Sequence, residues 1–168
     1  MAKFIPSIRP EEFNNSYGEK QVYEALRTLD DRHTVFYSLS WVSPSDRRTI
    51  GEADFVVAHP EKGIVVIEVK AGGIAYREGS WIQTNRATGE SKTIRPFAQA
   101  RKSQFELLER LEGANLGFRL PMLCYCVWFP SVTMAKASLP PEALPEITFD
   151  EESLSDPSGA LDTCFSYW

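Results

Sequence analysis

Two acids and a lysine, Asp54, Glu68 and Lys70, are the residues of this chain whose types and spacing best suit chemistry. They lie in or directly after two apolar segments, residues 51–57 and 63–69, that are typical of β-strands. Because side chains alternate along a strand, Glu68 and Lys70 share one face. Two neighbouring carboxylates repel each other unless a cation joins them, and Mg²⁺ prefers such oxygen ligands. The pattern therefore favours a divalent metal site over a surface ion pair, the alternative for an isolated E-x-K.

The two segments must be joined by a tight reversal for these charges to meet. Residues 59–63 are turn formers, His-Pro-Glu-Lys-Gly. In a hairpin centred near residues 61 and 62, Asp54 falls opposite residues 68–70. The three charged groups are thus expected at one end of a sheet.

The remaining elements follow from periodicity. A helix is predicted after Ser16, which with Glu19 forms a capping-box pattern, and its apolar face carries Val22, Ala25, Leu26 and Leu29. A second helix should begin at Pro96 and end near Leu111, with Ala98, Phe105, Leu108 and Leu111 facing inward. Strands are predicted at 33–42, 53–58, 64–70, 123–129 and 147–149, with a hairpin of 74–85 and 91–94 around 87–89 and helical turns at 151–154 and near the C-terminus.

Composition sets the class of protein. The 168 residues, 43% of them hydrophobic, predict a single globular domain spanning residues 1–168. No apolar run approaches the ~20 residues of a spanning helix, so no membrane partner is expected. The N-terminus lacks the long apolar stretch of a signal peptide. Cys124, Cys126 and Cys164 are interpreted as reduced thiols, which predicts a cytoplasmic protein.

Charge is unevenly distributed along the chain. The net charge of -5 argues against a nucleic-acid ligand, but residues 70–102 hold seven basic and two acidic side chains, while residues 139–168 hold seven acids and no Lys or Arg. A basic segment beside the acidic pair suits a phosphate backbone. The alternative is that these basic side chains only keep the hairpin and the helix that carry them soluble. The basic residues beyond Lys70 are Arg77, Arg86, Lys92, Arg95, Arg101 and Lys102.

Four segments together carry a family resemblance. They are Gly18-Glu19-Lys20-Gln21-Val22-Tyr23, Gly51-Glu52-Ala53-Asp54-Phe55, Ile67-Glu68-Val69-Lys70 with Gly72-Gly73, and Pro96-Phe97-Ala98-Gln99-Ala100. The chain resembles the nuclease-related domain (NERD) family of the PD-(D/E)XK nuclease superfamily. Its N-terminal segments are similar to those of NERD modules that precede helicase domains. One departure is Ala71, because an aromatic residue often follows the lysine in this family.

The resemblance implies a fold and roles for individual residues. The fold would be α/β and restriction-endonuclease-like, with an αβββαβ core at about residues 15–130, a mixed central sheet flanked by helices, and a C-terminal extension at 131–168. Asp54, Glu68 and the Val69 carbonyl would hold Mg²⁺ or Mn²⁺, and Lys70 would orient the attacking water or offset charge in the transition state.

Two further residues would complete the catalytic set. Glu19 would be a supplementary acid, the alternative being reciprocal capping with Ser16. Gln99 would touch Lys70, water or phosphate, the alternative being a solvent-facing glutamine. For Glu52, two orientations stay open, one towards the site and one towards solvent. For Tyr76 and Trp81, two roles stay open, stacking on bases and cross-strand packing.

The implied function is metal-dependent hydrolysis of nucleic-acid phosphodiester bonds, with DNA favoured over RNA, as the nuclease module of a DNA-processing, repair or defence helicase system. Implied partners are nucleic acid, a helicase in cis or in trans, and a second copy of the chain in a homodimer. The alternative is a catalytically inactive module of the same fold that binds nucleic acid or docks a partner.

Overall fold

The described part of the molecule contains a six-stranded mixed sheet, a smaller three-stranded sheet and the helices that flank them. The computed structural model describes residues 1–7, 13, 16–42, 50–135 and 139–168. In chain order, the elements are β1 (Lys3–Ile5), α1 (Tyr17–Leu26), β2 (Thr34–Val42), β3 (Ile50–His59), β4 (Gly63–Val69), β5 (Gly73–Arg77), β6 (Ser80–Thr84), β7 (Ser91–Ile94), α2 (Pro96–Gly113), β8 (Leu123–Trp128), β9 (Thr148–Phe149) and α3 (Pro157–Tyr167), with 3₁₀ turns at Pro145–Ile147 and Glu152–Leu154.

The strand order of the large sheet is β1-β2-β3-β4-β8-β9. Strands β2, β3 and β4 are antiparallel neighbours, whereas β4, β8 and β9 run parallel. The succession α1-β2-β3-β4-α2-β8 confirms the α/β, restriction-endonuclease-like core with its mixed central sheet. Strand β4 lies inside the sheet, which explains why its sequence is apolar on both faces. Val65, Val66 and Ile67 are fully buried there.

The β3–β4 hairpin has the predicted register. His59 pairs with Gly63 and Phe55 with Ile67, so the next opposed positions are Asp54 and Glu68. Gly63 has φ +119, and a Cβ added there would lie 2.4 Å from the Met122 carbonyl oxygen, so a side chain would disrupt the turn.

Helix α2 begins where predicted, but its inward face differs from the predicted one. Ala98 is exposed and Phe105 is 59% exposed, so their predicted inward orientation is wrong; Leu108 and Leu111 are half-buried. The buried positions of the helix are Pro96, Phe97, Ala100, Ser103, Gln104 and Glu106.

Specific hydrogen bonds explain why polar side chains of α2 face inward. Ser103 donates to the Glu52 carbonyl over 3.0 Å, and Gln104 donates to the Leu123 carbonyl over 2.6 Å. The Trp41 indole donates to the Glu106 carboxylate over 2.9 Å. A buried polar group with a partner is tolerated, and each of these bonds fastens α2 to the sheet.

The segment between Lys70 and α2 is a three-stranded antiparallel meander, not the single hairpin predicted. A turn at Glu78 and Gly79, both with positive φ, divides the predicted strand 74–85 into β5 and β6. Trp81 is buried, contacts the ring of its cross-strand partner Tyr76 at a centroid distance of 5.2 Å and stacks 5.1 Å from Phe129, so the cross-strand packing interpretation is confirmed.

The chain ends extend the large sheet. Strand β1 was not predicted, because a strand of three residues carries little periodicity of its own, whereas β9 falls within the predicted strand at 147–149. Helix α3 packs near β8, and the three cysteines are buried and free, as expected for reduced thiols. In the described ranges, no helix has the length and apolar character needed to cross a membrane.

Candidate active site

Asp54, Glu68 and Lys70 come together at the end of the β3–β4 hairpin. The backbone N–H of Val69 donates to the Asp54 carboxylate over 2.7 Å, which fastens the acid of β3 to the end of β4. The Lys70 ammonium forms an ion pair with the Glu68 carboxylate, and both side chains are largely shielded from solvent. The backbone N–H of Lys70 bonds to the Trp128 carbonyl at 3.0 Å, so β8 fixes this strand end from the other side.

The two carboxylates are only partly compensated by the positive charge and hydrogen bond beside them. Burial raises the pKa of Asp54, although the Val69 N–H and the Lys70 charge oppose this. Burial also raises the pKa of Glu68, and the Asp54 charge adds to the effect. Desolvation and like charge both disfavour ionisation, and one lysine does not cancel them. A site in this state has an electrostatic reason to bind an additional cation.

Glu19 is held beside this pair by two hydroxyl groups. The Tyr37 hydroxyl donates to Glu19 over 2.7 Å, and the Ser16 hydroxyl donates to the other carboxylate oxygen. Ser16 therefore makes no side-chain capping bond to the helix backbone. The Glu19 charge contributes to the raised pKa of both Asp54 and Glu68, which places this acid in the same electrostatic cluster.

Tyr37 is a site residue that the sequence analysis missed. Burial raises its pKa, and the bond to Glu19 adds to the shift, so the hydroxyl keeps its proton and acts as a donor. Its strand position carries no local sign of this role, since its partner Glu19 lies on another element. Glu52 occupies a more exposed place nearby, where it accepts a 2.5 Å hydrogen bond from Ser38.

The turn after Lys70 packs closely against the start of α1. A Cβ added at Gly18 would lie 2.2 Å from the Ala71 Cβ, so glycine permits this approach. The Gln83 side chain donates to the Ala71 carbonyl over 2.7 Å and ties the turn to β6. The small residue after the lysine thus sits in a narrow space between α1 and the meander.

A groove of about 1030 Å³ opens beside the acidic cluster. It lies between the first turn of α1, the end of β4 and the β6–β7 turn, and Glu19, Lys70, Arg86 and Lys92 are among its lining residues. Arg86 is oriented by a 2.7 Å hydrogen bond to the Ser131 carbonyl. An acidic site next to basic walls suits a ligand that carries phosphate groups.

The other predicted basic residues lie outside this lining. Arg77 is exposed beside the β5–β6 turn, Arg95 precedes α2, and Arg101 and Lys102 are exposed on α2. Gln99 is also exposed, in the first turn of α2, and its active-site role stays a prediction.

The donor chemistry of the site fits a small, hard cation. Asp54 and Glu68 supply carboxylate oxygens, and the Val69 carbonyl belongs to the same strand end. Among the described residues, no three His, Cys, Asp or Glu side chains form a ready-made metal cage. Mg²⁺ does not require one, because it is usually bound by one or two carboxylates and keeps several waters and substrate phosphates as ligands.

The fold and the site define an α/β protein with an acidic pair and a lysine at the end of a β-hairpin. Comparison with protein families shows which class this is: residues 14–129 match the nuclease-related domain, NERD. The match covers more than half of the chain, and the chain therefore belongs to the NERD family. Searches of curated proteins and of solved structures found no match.

Proposed function

We propose that this protein is a Mg²⁺- or Mn²⁺-dependent nuclease that hydrolyses phosphodiester bonds, with DNA preferred to RNA. The observation that carries the proposal is the opposition of Asp54 and the buried Glu68 across one hairpin, with Lys70 beside them. Membership of the nuclease-related family supports the same chemistry. A protein without such chemistry gains little from keeping two repelling acids in a shielded position.

In this proposal, Asp54, Glu68 and the Val69 carbonyl hold the cation. When bound, such an ion polarises the phosphoryl group and makes water more acidic. The Val69 N–H keeps the Asp54 carboxylate in place through its hydrogen bond. Lys70 supplies a compact positive charge that can orient the attacking water or offset charge developing on the phosphate.

The surroundings supply binding and orientation. Glu19, held by Tyr37 and Ser16, is the supplementary acid on the α1 side of the site. Arg86 and Lys92, which line the groove, would contact the phosphate backbone. Such contacts are independent of base sequence and weaken as salt concentration rises.

The test is a cleavage assay on circular and linear DNA and on RNA, single- and double-stranded, with and without Mn²⁺. Asp54→Asn, Glu68→Gln and Lys70→Ala are each expected to lower cleavage at least about a hundredfold. Asp162→Asn is the matched control, because this acid pairs with Lys62 at the opposite end of the hairpin. Binding of nucleic acid without metal-dependent cleavage by the unchanged protein would support the inactive module instead.

A further inference from the structure

The solvent-facing side of helix α2 carries more apolar surface than is expected of a helix face that contacts only water. Phe105 at its centre is 59% exposed. Near the C-terminal end of the helix, Leu116 and Phe118 are 44% and 65% exposed and border a cavity of about 680 Å³ with Leu108 and Leu111. Contiguous exposed apolar groups rimmed by polar residues mark interaction surfaces.

We call this surface the α2 outer face and define it by exposed residues that recur every three or four positions. Such spacing places side chains on one side of a helix. The members are Ala98, Arg101, Lys102, Phe105, Glu109 and Glu112.

The charges of the α2 outer face are ordered along the helix. Basic residues lie on the N-terminal side of Phe105 and acidic residues on its C-terminal side. Arg101 and Glu109 are each four positions from Phe105, and Ala98 and Glu112 are each seven positions from it. Arg101 and Glu109 of the two copies are therefore opposed, with opposite charges, when a second copy is turned end over end about Phe105.

We propose that two copies of this chain pair through their α2 outer faces, antiparallel, with a twofold axis at Phe105. Each Arg101 then faces Glu109 of the other copy, and the two Phe105 rings meet at the centre. A parallel pairing would set Arg101 against Arg101 and Glu109 against Glu109, which repel. The same patch on both copies is the property that a twofold dimer requires.

The charge pattern distinguishes this partner from nucleic acid. Arg101 and Lys102 by themselves suit a phosphate backbone, but Glu109 and Glu112 on the same face would repel it. A helix of 18 residues is about 27 Å long. Leu116 and Phe118 add exposed apolar surface near its C-terminal end. These features favour a protein surface of matching charge, and the second copy supplies one.

The experiment is sedimentation analysis of the full chain at concentrations from micromolar to submillimolar. The unchanged protein is expected at about twice the monomer mass of 19.0 kDa. Arg101→Glu and Glu109→Arg should each raise the dimer dissociation constant roughly a hundredfold, because each sets like charges against each other twice per dimer.

Mixing the two variants provides the decisive measurement. In a heterodimer of Arg101→Glu with Glu109→Arg, both charge pairs are again opposite in sign, so dimer formation should return. Misfolding of either variant cannot produce such a rescue. Phe105→Ala should weaken the dimer without changing its charge preference.

Two results would overturn the proposal: an unchanged protein that stays monomeric over the whole range, or variants that do not recover on mixing. If Arg101→Glu lowers the affinity for DNA and leaves the mass measured by sedimentation unchanged, the α2 outer face binds nucleic acid instead. The sedimentation measurement contains no nucleic acid, so its outcome is independent of the proposed nuclease activity.

Discussion

The Tyr37 hydroxyl donates a 2.7 Å hydrogen bond to the Glu19 carboxylate and thereby joins β2 to the first turn of α1. Glu19 also accepts a hydrogen bond from Ser16. Two donors on one carboxylate fix its position. Glu19 is therefore a held acid beside Asp54 and Glu68, and Tyr37 is the residue that positions it.

Replacing Tyr37 by phenylalanine should separate this positioning role from a purely structural one. We expect a loss of about 1 kcal/mol in the free energy of unfolding, typical for one hydrogen bond. We also expect cleavage to need more Mn²⁺ for half-maximal rate, because Glu19 loses one of its two hydrogen-bond donors. Tyr76→Phe is the control, since that tyrosine is 40% exposed on β5. An unchanged Mn²⁺ requirement for Tyr37→Phe would remove the assigned role.

Gly18→Ala should damage the site from the α1 side. The new Cβ would lie 2.2 Å from that of Ala71 and 3.3 Å from a Pro130 side-chain carbon, so the helix start must move away from the turn after Lys70. Overpacking of this kind costs roughly 1–3 kcal/mol. The rate of cleavage should fall together with the stability. In Gly113→Ala, the control, the added Cβ meets nothing within 4 Å, and stability and cleavage should stay near those of the unchanged protein.

Compared with the unchanged protein, Asp54→Asn and Glu68→Gln should be more stable without metal and should lose the stabilisation that metal brings. The raised pKa of each acid means that its charge is unfavourable in the folded protein, so each neutral variant should melt higher than the unchanged protein in metal-free buffer near neutral pH.

Saturating Mn²⁺, at about a hundred times its dissociation constant, should raise the melting temperature of the unchanged protein by roughly 5 °C or more. The rise should vanish in both variants, whereas Asp162→Asn should retain it. A thermal melt series measures both effects, and equal Mn²⁺ responses in all four proteins would contradict the metal site.

His59 should make stability dependent on pH. Its Nδ1 accepts 3.2 Å hydrogen bonds from the backbone N–H groups of Glu61 and Lys62, which requires an unprotonated nitrogen in the turn of the β3–β4 hairpin. Burial lowers its pKa, and so does the positive charge of its neighbours, although Asp30 opposes the shift; the basic neighbours are His33, Arg32 and Lys62.

Because the folded pKa lies below the ordinary value of 6.5, the contribution of His59 is present above that value and is lost as pH falls through the lowered pKa. Urea unfolding at about pH 7.5 and about pH 5.5 should show the decrease. His59→Asn should reduce the pH dependence. If the stability of His59→Asn depends on pH as that of the unchanged protein does, the loss of stability at low pH comes from other groups.

Trp41→Phe tests the inward face of α2. The substitution removes a 2.9 Å donor from the Glu106 carboxylate, which is buried between α2 and the sheet. We expect a loss of about 1–3 kcal/mol by chemical denaturation. Trp168→Phe is the matched control, because Trp168 is 46% exposed and should change stability by less than about 0.5 kcal/mol. Equally small losses of stability in Trp41→Phe and Trp168→Phe would mean that the hydrogen bond from the Trp41 indole to Glu106 does not hold α2 on the sheet.

The local pattern was enough to predict the hairpin that carries Asp54, Glu68 and Lys70. Alternation along a strand and the turn formers at 59–63 act over short distances, so the register of β3 against β4 could be read from the residues themselves. The αβββαβ order followed in the same way. The split of 74–85 into two strands was missed, because an isolated glycine such as Gly79 within a strand pattern is also typical of a β-bulge.

Tertiary structure alone decided the partners of Glu19 and the orientation of α2. The Tyr37–Glu19 bond joins residues 18 positions apart, and the Trp41–Glu106 bond joins residues 65 positions apart. Apolar periodicity predicted that Phe105 faces inward, but Ser103, Gln104 and Glu106 found hydrogen-bond partners on the sheet and turned Phe105 outward. Buried polar groups are stable only with specific partners, and those partners exist only once the chain has folded.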